Sequence, residues 1–307
     1  MELAGMLLTG GFTYIAPPNN TAAWFGGGYG GGTRSTVNRI TYATDTATAS
    51  VRGPLSLARY ALAAASNFTD GWFGGGNQSP GQLSTVDRIT YATDTATASV
   101  RGPLSLARQY LAAAGNNDYG WFGGSSQPSR STVDRITYAT DTATASVRGP
   151  LSSARYSLAA AGNTTDGWFG GGDPITSTVN RITYATDTAT ASVRGPLSLA
   201  RYGVAAAGNT TDGWFGSGYS AGLKSTVDRI TYATDTATAS VRGPLSVAVE
   251  QVAAAGNTTD GWFGSGYSGG SRSTVDRITY ATDTATASVR GPLSLTRYAL
   301  AAAGGTQ

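Results

Sequence analysis

One string of residues recurs six times, and a chain built that way has few folds open to it. The string S-T-V-[DN]-R-I-T-Y-A-T-D-T-A-T-A-S-V-R-G-P-L-S starts at Ser35, Ser84, Ser131, Ser177, Ser225 and Ser273, at spacings of 49, 47, 46, 48 and 48 residues. A second string, W-F-G-[GS], starts at Trp24, Trp72, Trp121, Trp168, Trp214 and Trp262. A third, rich in alanine, spans 60–65, 109–114, 156–161, 202–207, 250–255 and 298–303. A unit of this length cannot cover its own apolar faces and must stack on its neighbours. Six such units point to a solenoid or a closed propeller.

Within a unit the period is that of strands. Over 37–42, Val37, Arg39 and Thr41 share one face and Asn38, Ile40 and Tyr42 the other, in a run rich in β-branched and aromatic residues. Residues 43–46 (A-T-D-T) read as a polar turn in which Asp45 hydrogen-bonds its own backbone. Alternation resumes over 46–51 and stops at Arg52-Gly53-Pro54. Trp72 and Phe73 open a short strand and point to opposite faces, so both faces need cover. Residues 54–65 (PLSLARYALAAA) carry helical propensity and a proline at a helix-start position. The stacking requirement overrides that propensity: a helix per unit would leave only three short strands, whereas small alanines suit the crowded innermost strand of a propeller. The chain enters at the Trp24 strand and ends on the alanine strand at 298–303, which completes the first blade and leaves no open edge between the first and last blades.

The consensus unit, STVDRITYATDTATASVRGPLSLARYALAAAGNTTDGWFGGG, resembles a kelch repeat. The matching parts are the T-V-x-x-x-x-Y strand, the A-T-[DN]-T turn, the proline before Ala-Arg, the alanine strand, the aromatic pair and the glycines. The outer-strand tryptophan of that family is missing near Ala47 or Thr48, and its histidine before the alanines is replaced by Leu62, Leu158 or Val204. Over residues 21–304 the resemblance implies an all-β fold. With six units, the fold so implied is a six-bladed β-propeller of four-stranded, kelch-like blades, the ring expected to be closed by the C-terminal strand joining the N-terminal blade. The propeller then occupies 21–307, and 1–20 form an N-terminal extension, either a docking segment or a flap.

The chemistry open to the chain is narrow. With no histidine and no cysteine it lacks a Ser–His triad, a thiol nucleophile, disulfides and the commonest zinc ligands. Charged residues are 13% and the net charge is +3, with arginines spread evenly, which argues against nucleic acid. No apolar run is long enough to insert in a membrane, and residues 1–16 lack the pattern of a signal peptide. The glycine clusters after each Trp-Phe precede no Lys-[ST] and no helix, so they are not phosphate loops. The N-x-[ST] triplets at Asn67, Asn163, Asn209 and Asn257 fall in hairpins that asparagine favours on its own. These features predict no catalytic residue, no metal and no cofactor.

A residue present in every unit serves the unit. Asp45, Arg52 and the tryptophans Trp24, Trp72, Trp121, Trp168, Trp214 and Trp262 are therefore read as structural, fixing turns and pairing neighbouring blades. Departures from symmetry are the better guide to binding. Val249 stands where the other units have arginine, and the next position reads Tyr60, Gln109, Tyr156, Tyr202, Glu250 and Tyr298. Glu250, one of two glutamates, is a candidate cation ligand near a central channel. The loops at 27–34, 75–83, 124–130, 171–176, 217–224 and 265–272 differ most, and a meander places them on one face with the Pro-Leu-Ser linkers. Tyr29, Tyr219 and Tyr267, from blades that adjoin once the ring closes, are its expected anchors, with the single lysine, Lys224, beside them.

A narrower resemblance rests on T-V-D-R-I-x-Y-x-x-D-T-A-T-A-S-V-R-G-P-L-S, its F-G-G-G partner, and Asn67, Asn116, Asn163, Asn209 and Asn257 ahead of the aromatic strand. Such units are similar to repeats in virion structural proteins of marine cyanobacterial phages. That resemblance implies a structural protein of an extracellular virion, whether tail-associated, fibre or capsid-surface. Its partners would be other virion proteins and a host-surface glycan or protein. The alternative is a bacterial kelch-like extracellular or scaffold protein.

Overall fold

Each alternating segment finds its partner in the nearest apolar strand, and the result is a meander repeated around an axis. The computed structural model describes residues 21–304; the extension 1–20 and the last three residues lie outside the described residues. Among the described residues the backbone forms six four-stranded antiparallel sheets arranged as a β-propeller, plus a small hairpin of Asn77–Gln78 with Gly81–Gln82 in one loop. In the second blade the order from the axis outward is Ala63–Ser66, Asp70–Gly74, Val86–Thr90 and Ser99–Arg101. The first blade takes its inner strand from the far end of the chain. Ala301–Gly304 pairs with Ala22–Gly26, with Trp24 opposite Ala303 and Phe25 opposite Ala302. Ring closure by the C-terminal strand is thus as the repeat order requires.

The core lies between blades rather than within them. Trp24 packs with Val37 against Phe73, Ile89 and Tyr91 of the second blade, whereas Phe25 packs with Ile40 against Trp262 and Val275 of the sixth. Each aromatic pair therefore covers two interfaces, one on each side of its strand, and six clusters of this kind run round the ring. The alanines of the inner strands let six strands approach the axis without overlap.

Three local expectations need correction. The inner strands begin at Ala63 and its equivalents rather than at Tyr60, although 54–62 form no helix, as the stacking requirement expects. The outer strands are only three residues long, Ser50–Arg52 in the first blade. Residues 42–49 are spent instead on a 3-10 turn at Tyr42–Thr44 and on contact with the neighbouring blade, where Ala49 N–H donates to the Pro292 carbonyl at 2.9 Å. Finally, the Asp45 carboxylate serves the adjacent blade, not its own turn. Its Oδ2 accepts Trp262 Nε1 at 2.9 Å and Arg277 Nη1 at 3.1 Å, and lies 3.4 Å from Arg290 Nε.

That latch is repeated at every interface. Asp94 takes Trp24, Arg39 and Arg52 in the same way, and Asp141 takes Trp72, Arg88 and Arg101. The tyrosine that opens each turn lies flat on the same tryptophan, ring centroids 3.7–3.9 Å apart. The glycine of V-R-G closes the contact. Gly53 N–H donates to the Asp94 carbonyl at 2.8 Å, and a Cβ on Gly53 would overlap the carbonyl oxygen of Ala96. Most of the long repeated string is thereby accounted for as interface chemistry.

Candidate functional site

The two ends of the ring differ. One face carries the 3-10 turns and the short hairpins between first and second strands. There Asn67 Oδ1 accepts the amides of Thr69 and Asp70, both at 2.9 Å, and so satisfies a turn that recurs at Asn116, Asn163, Asn209 and Asn257. The other face carries the variable loops, which bond to the linkers beneath them: Gly28 N–H donates to the Arg59 carbonyl and Leu55 N–H to the Ser35 carbonyl. In the third blade the loop is reduced because its strands extend to Ser125 and from Arg130.

At the centre of the loop face the six linkers join one another. Ala61, Tyr110, Ser157, Gly203, Gln251 and Ala299 all sit in the left-handed region, at φ of 51–67°. Each donates its amide to the carbonyl of the equivalent residue in the preceding blade. The N···O distances are 2.6–2.9 Å, and the sixth bond, from Ala61 to Ala299, closes the circle. Below this annulus Leu62, Leu111, Leu158, Val204, Val252 and Leu300 line a cavity of ≈ 90 Å³. The annulus holds the next residue outward, at position 60 and its equivalents, at the rim of the mouth.

That rim is tyrosine. Tyr267, Tyr298, Tyr29, Tyr60, Tyr110 and Tyr156 form a chain of ring contacts with centroids 5.4–6.3 Å apart, and Tyr202 meets Tyr219 at 5.5 Å. Backbone bridges tie the loops to the rim: Tyr29 to Tyr298, Tyr202 to Tyr219, and Glu250 to Tyr267. Glu250 reaches in over Gly203, with its Oε2 3.4 Å from where a Cβ on that glycine would stand. Among the described residues its Oε2 is buried without a hydrogen-bond partner, and so are Oε1 of Gln251 and of Gln109. Burial raises the Glu250 carboxyl above its ordinary range. Burial, and then neighbouring groups that include this carboxylate, hold up the phenols of Tyr110, Tyr202 and Tyr298, which come from three different blades. The mouth therefore offers flat aromatic faces, phenol hydroxyls that can donate or accept, and unpartnered oxygen acceptors.

The residues singled out from sequence fall in two places. Asp45, Arg52 and the six tryptophans lie in the interblade latches, away from the mouth. Tyr29, Tyr219, Tyr267 and Glu250 lie at the mouth. Tyr29 and Tyr267 meet there through Tyr298, and Tyr219 joins through Tyr202. Lys224 is half-buried at the base of the fifth blade's loop, where its carbonyl accepts Val249 N–H at 3.1 Å. Tyr60, Tyr110, Tyr156, Tyr202, Tyr298 and Gln251 complete the rim. Their signal was the variation at position 60 and its neighbour, which breaks an otherwise uniform unit. Among the described residues, no three His, Cys, Asp or Glu side chains cluster as metal ligands. No protein-family model matches the chain, and no curated protein matches it.

Proposed function

We propose that the chain is a virion structural protein, a tail-associated, fibre or capsid-surface component that presents a rigid propeller for assembly or for attachment to a host-surface glycan or protein. One observation carries the attachment part: every variable loop and a nearly continuous tyrosine rim share one face around one mouth. Tyrosine offers flat apolar area and a hydroxyl at low entropy cost, and buried anchors of this kind contribute on the order of 1–2 kcal/mol each. The unpartnered oxygens of Glu250, Gln251 and Gln109 favour a ligand rich in O–H or N–H donors, as a glycan is. The virion setting rests on the resemblance of the repeated string to phage structural repeats. A ring closed between its first and last blades, with outer edge strands only three residues long, suits a particle exposed to proteases. The same reading assigns the chain no catalysis, because the ionic groups repeated in every blade are occupied with one another.

The test has two arms. Antibody labelling of purified particles is expected to find the protein on virions; its absence there, with retention at a bacterial surface, would favour a bacterial scaffold. The triple variant Y29A/Y219A/Y267A is expected to weaken binding of the propeller to host cells at least tenfold without changing its melting temperature. Unchanged binding, with contacts mapped to the asparagine hairpins, would move the functional face to the other side.

A further inference from the structure

Five blades bury an arginine that the sixth lacks. Arg59, Arg108, Arg155, Arg201 and Arg297 stand just before the inner strands and are fully enclosed. In all five the guanidinium donates to the carbonyl of the second-strand phenylalanine, at 2.9–3.4 Å. In all five it also donates to the third-strand Asp or Asn side chain, at 2.7–3.0 Å. In three it reaches a threonine carbonyl as well. In the sixth blade this position is Val249, and the acceptors remain: Phe263, Thr274 and Asp276 line a cavity of ≈ 20 Å³ beside it. That is room for about one water-sized group, so a planar head group of four heavy atoms enters only when the Val249 side chain in the lining shifts. Val247 and Arg272, also in the lining, are exposed, so the cavity has a route to solvent.

The acid has not been adjusted to the loss. Blades one and four carry Asn38 and Asn180 yet keep their arginines, so the neutral side chain is tolerated at this position. Blade six does the reverse. Asp276 is 5% exposed, accepts only Ser246 N–H at 2.9 Å and Ser246 Oγ–H at 2.7 Å, and has no ion pair among the described residues. Burial raises its pKa, as expected of a carboxylate that has lost its cation. A buried carboxylate without its partner is costly, and a cation from outside relieves that cost.

We propose that the sixth blade keeps the acceptors of a guanidinium socket, in which Asp276 and the carbonyls of Phe263 and Thr274 take the head group of a guanidinium-bearing ligand supplied from outside the chain once the Val249 side chain turns aside. The ligand is either a free small molecule or an arginine side chain of a partner. The inference goes beyond the attachment reading and does not depend on it.

The test uses the full chain at neutral pH. Methylguanidinium is titrated against methylammonium and sodium at matched ionic strength, followed by calorimetry and thermal melting. Saturable binding is expected for methylguanidinium, about tenfold or more tighter than for methylammonium, with a rise in melting temperature. V249R fills the socket internally, as the sister blades do; it is expected to melt higher than wild type and to lose the methylguanidinium response. D276N is expected to weaken that response about tenfold or more. A Gly-Arg-Gly peptide with blocked ends separates the sources: binding equal to methylguanidinium points to a partner's arginine, and binding of methylguanidinium alone to a small ligand. The proposal is overturned if wild type shows no saturable preference for methylguanidinium, if V249R lowers the melting temperature, or if D276N leaves the methylguanidinium response unchanged; D276N by itself is expected to stabilise the ligand-free protein, because it removes the unpaired charge.

Discussion

Replacing Asp141 with alanine isolates what one interblade latch contributes. Two donors converge on its Oδ2, Trp72 Nε1 at 2.9 Å and Arg88 Nη1 at 3.0 Å, and the Arg101 guanidinium forms an ion pair with it, Nε at 3.4 Å. The Asp141 side chain is 6% exposed, against 26% for Arg88 and 20% for Arg101. A buried indole donating to a carboxylate contributes about 1.5–3 kcal/mol, and its loss also leaves the N–H without a partner. Each partly exposed arginine, screened by solvent, adds at most about 1 kcal/mol. D141A should therefore cost about 3–5 kcal/mol, and D141N, which keeps an acceptor but no charge, about half of that. Urea denaturation by linear extrapolation measures both. A double-mutant cycle with W72F should return a coupling of about 1–2 kcal/mol, because the phenylalanine keeps the stack on Tyr138 but has no donor. In high salt the arginine part shrinks and the tryptophan part persists. A D141A loss below about 1 kcal/mol, or one abolished by salt, would refute the assignment of Asp141 as a buried anchor.

Two further outcomes follow from the same interfaces. The stacked tyrosines Tyr42, Tyr91, Tyr138, Tyr184, Tyr232 and Tyr280 are all raised above the ordinary 10.0 by burial. The folded chain holds these protons after the unfolded chain has lost them, so their contribution is complete below pH 10 and stability falls as pH rises above it. The slope approaches about 8 kcal/mol per pH unit. Tyrosinate absorbance from these six should appear only together with unfolding; gradual ionisation near pH 10 in a folded chain would contradict this. Deleting 298–307 removes the inner strand of the first blade, buried Leu300 and four backbone hydrogen bonds made by Tyr298 and Ala299. A loss of roughly 5–10 kcal/mol is expected, measured by thermal melting, with recovery when the missing peptide is added; a melting temperature unchanged by the deletion would refute ring closure as the source of stability.

Strands and ring closure were legible because each rests on a pattern within one unit: the alternation from Val37 to Thr41, the opposed rings of Trp72 and Phe73, and the order of the strings. What bonds to what was not. Asp45 lies 217 residues from Trp262 and 232 from Arg277, and nothing in either neighbourhood announces the pairing. The helical propensity of 54–65 was rightly set aside, but not for the whole reason. Residue 61 and its equivalents are left-handed because they bond around the axis, a requirement that exists only once six units meet. The mouth was half legible. Tyr29, Tyr219 and Tyr267 stood out by loop variation, whereas Tyr60 and Tyr298 looked like part of the repeat. Val249 was visible as an exception, yet its meaning needed the knowledge that its sisters face Asp87, Asp134 and Asp228.

The annulus at the mouth has an electrostatic consequence. Six peptide dipoles arranged head to tail around a circle point along its tangents, and their vector sum is close to zero. Where a helix end or a row of free amides would confer a fixed preference for one sign of charge, this backbone confers none. The polarity of the entrance is left to the side chains just outside it: Tyr60, Gln109, Tyr156, Tyr202, Glu250 and Tyr298. A handful of substitutions there can change what the entrance attracts while the frame that holds them stays the same.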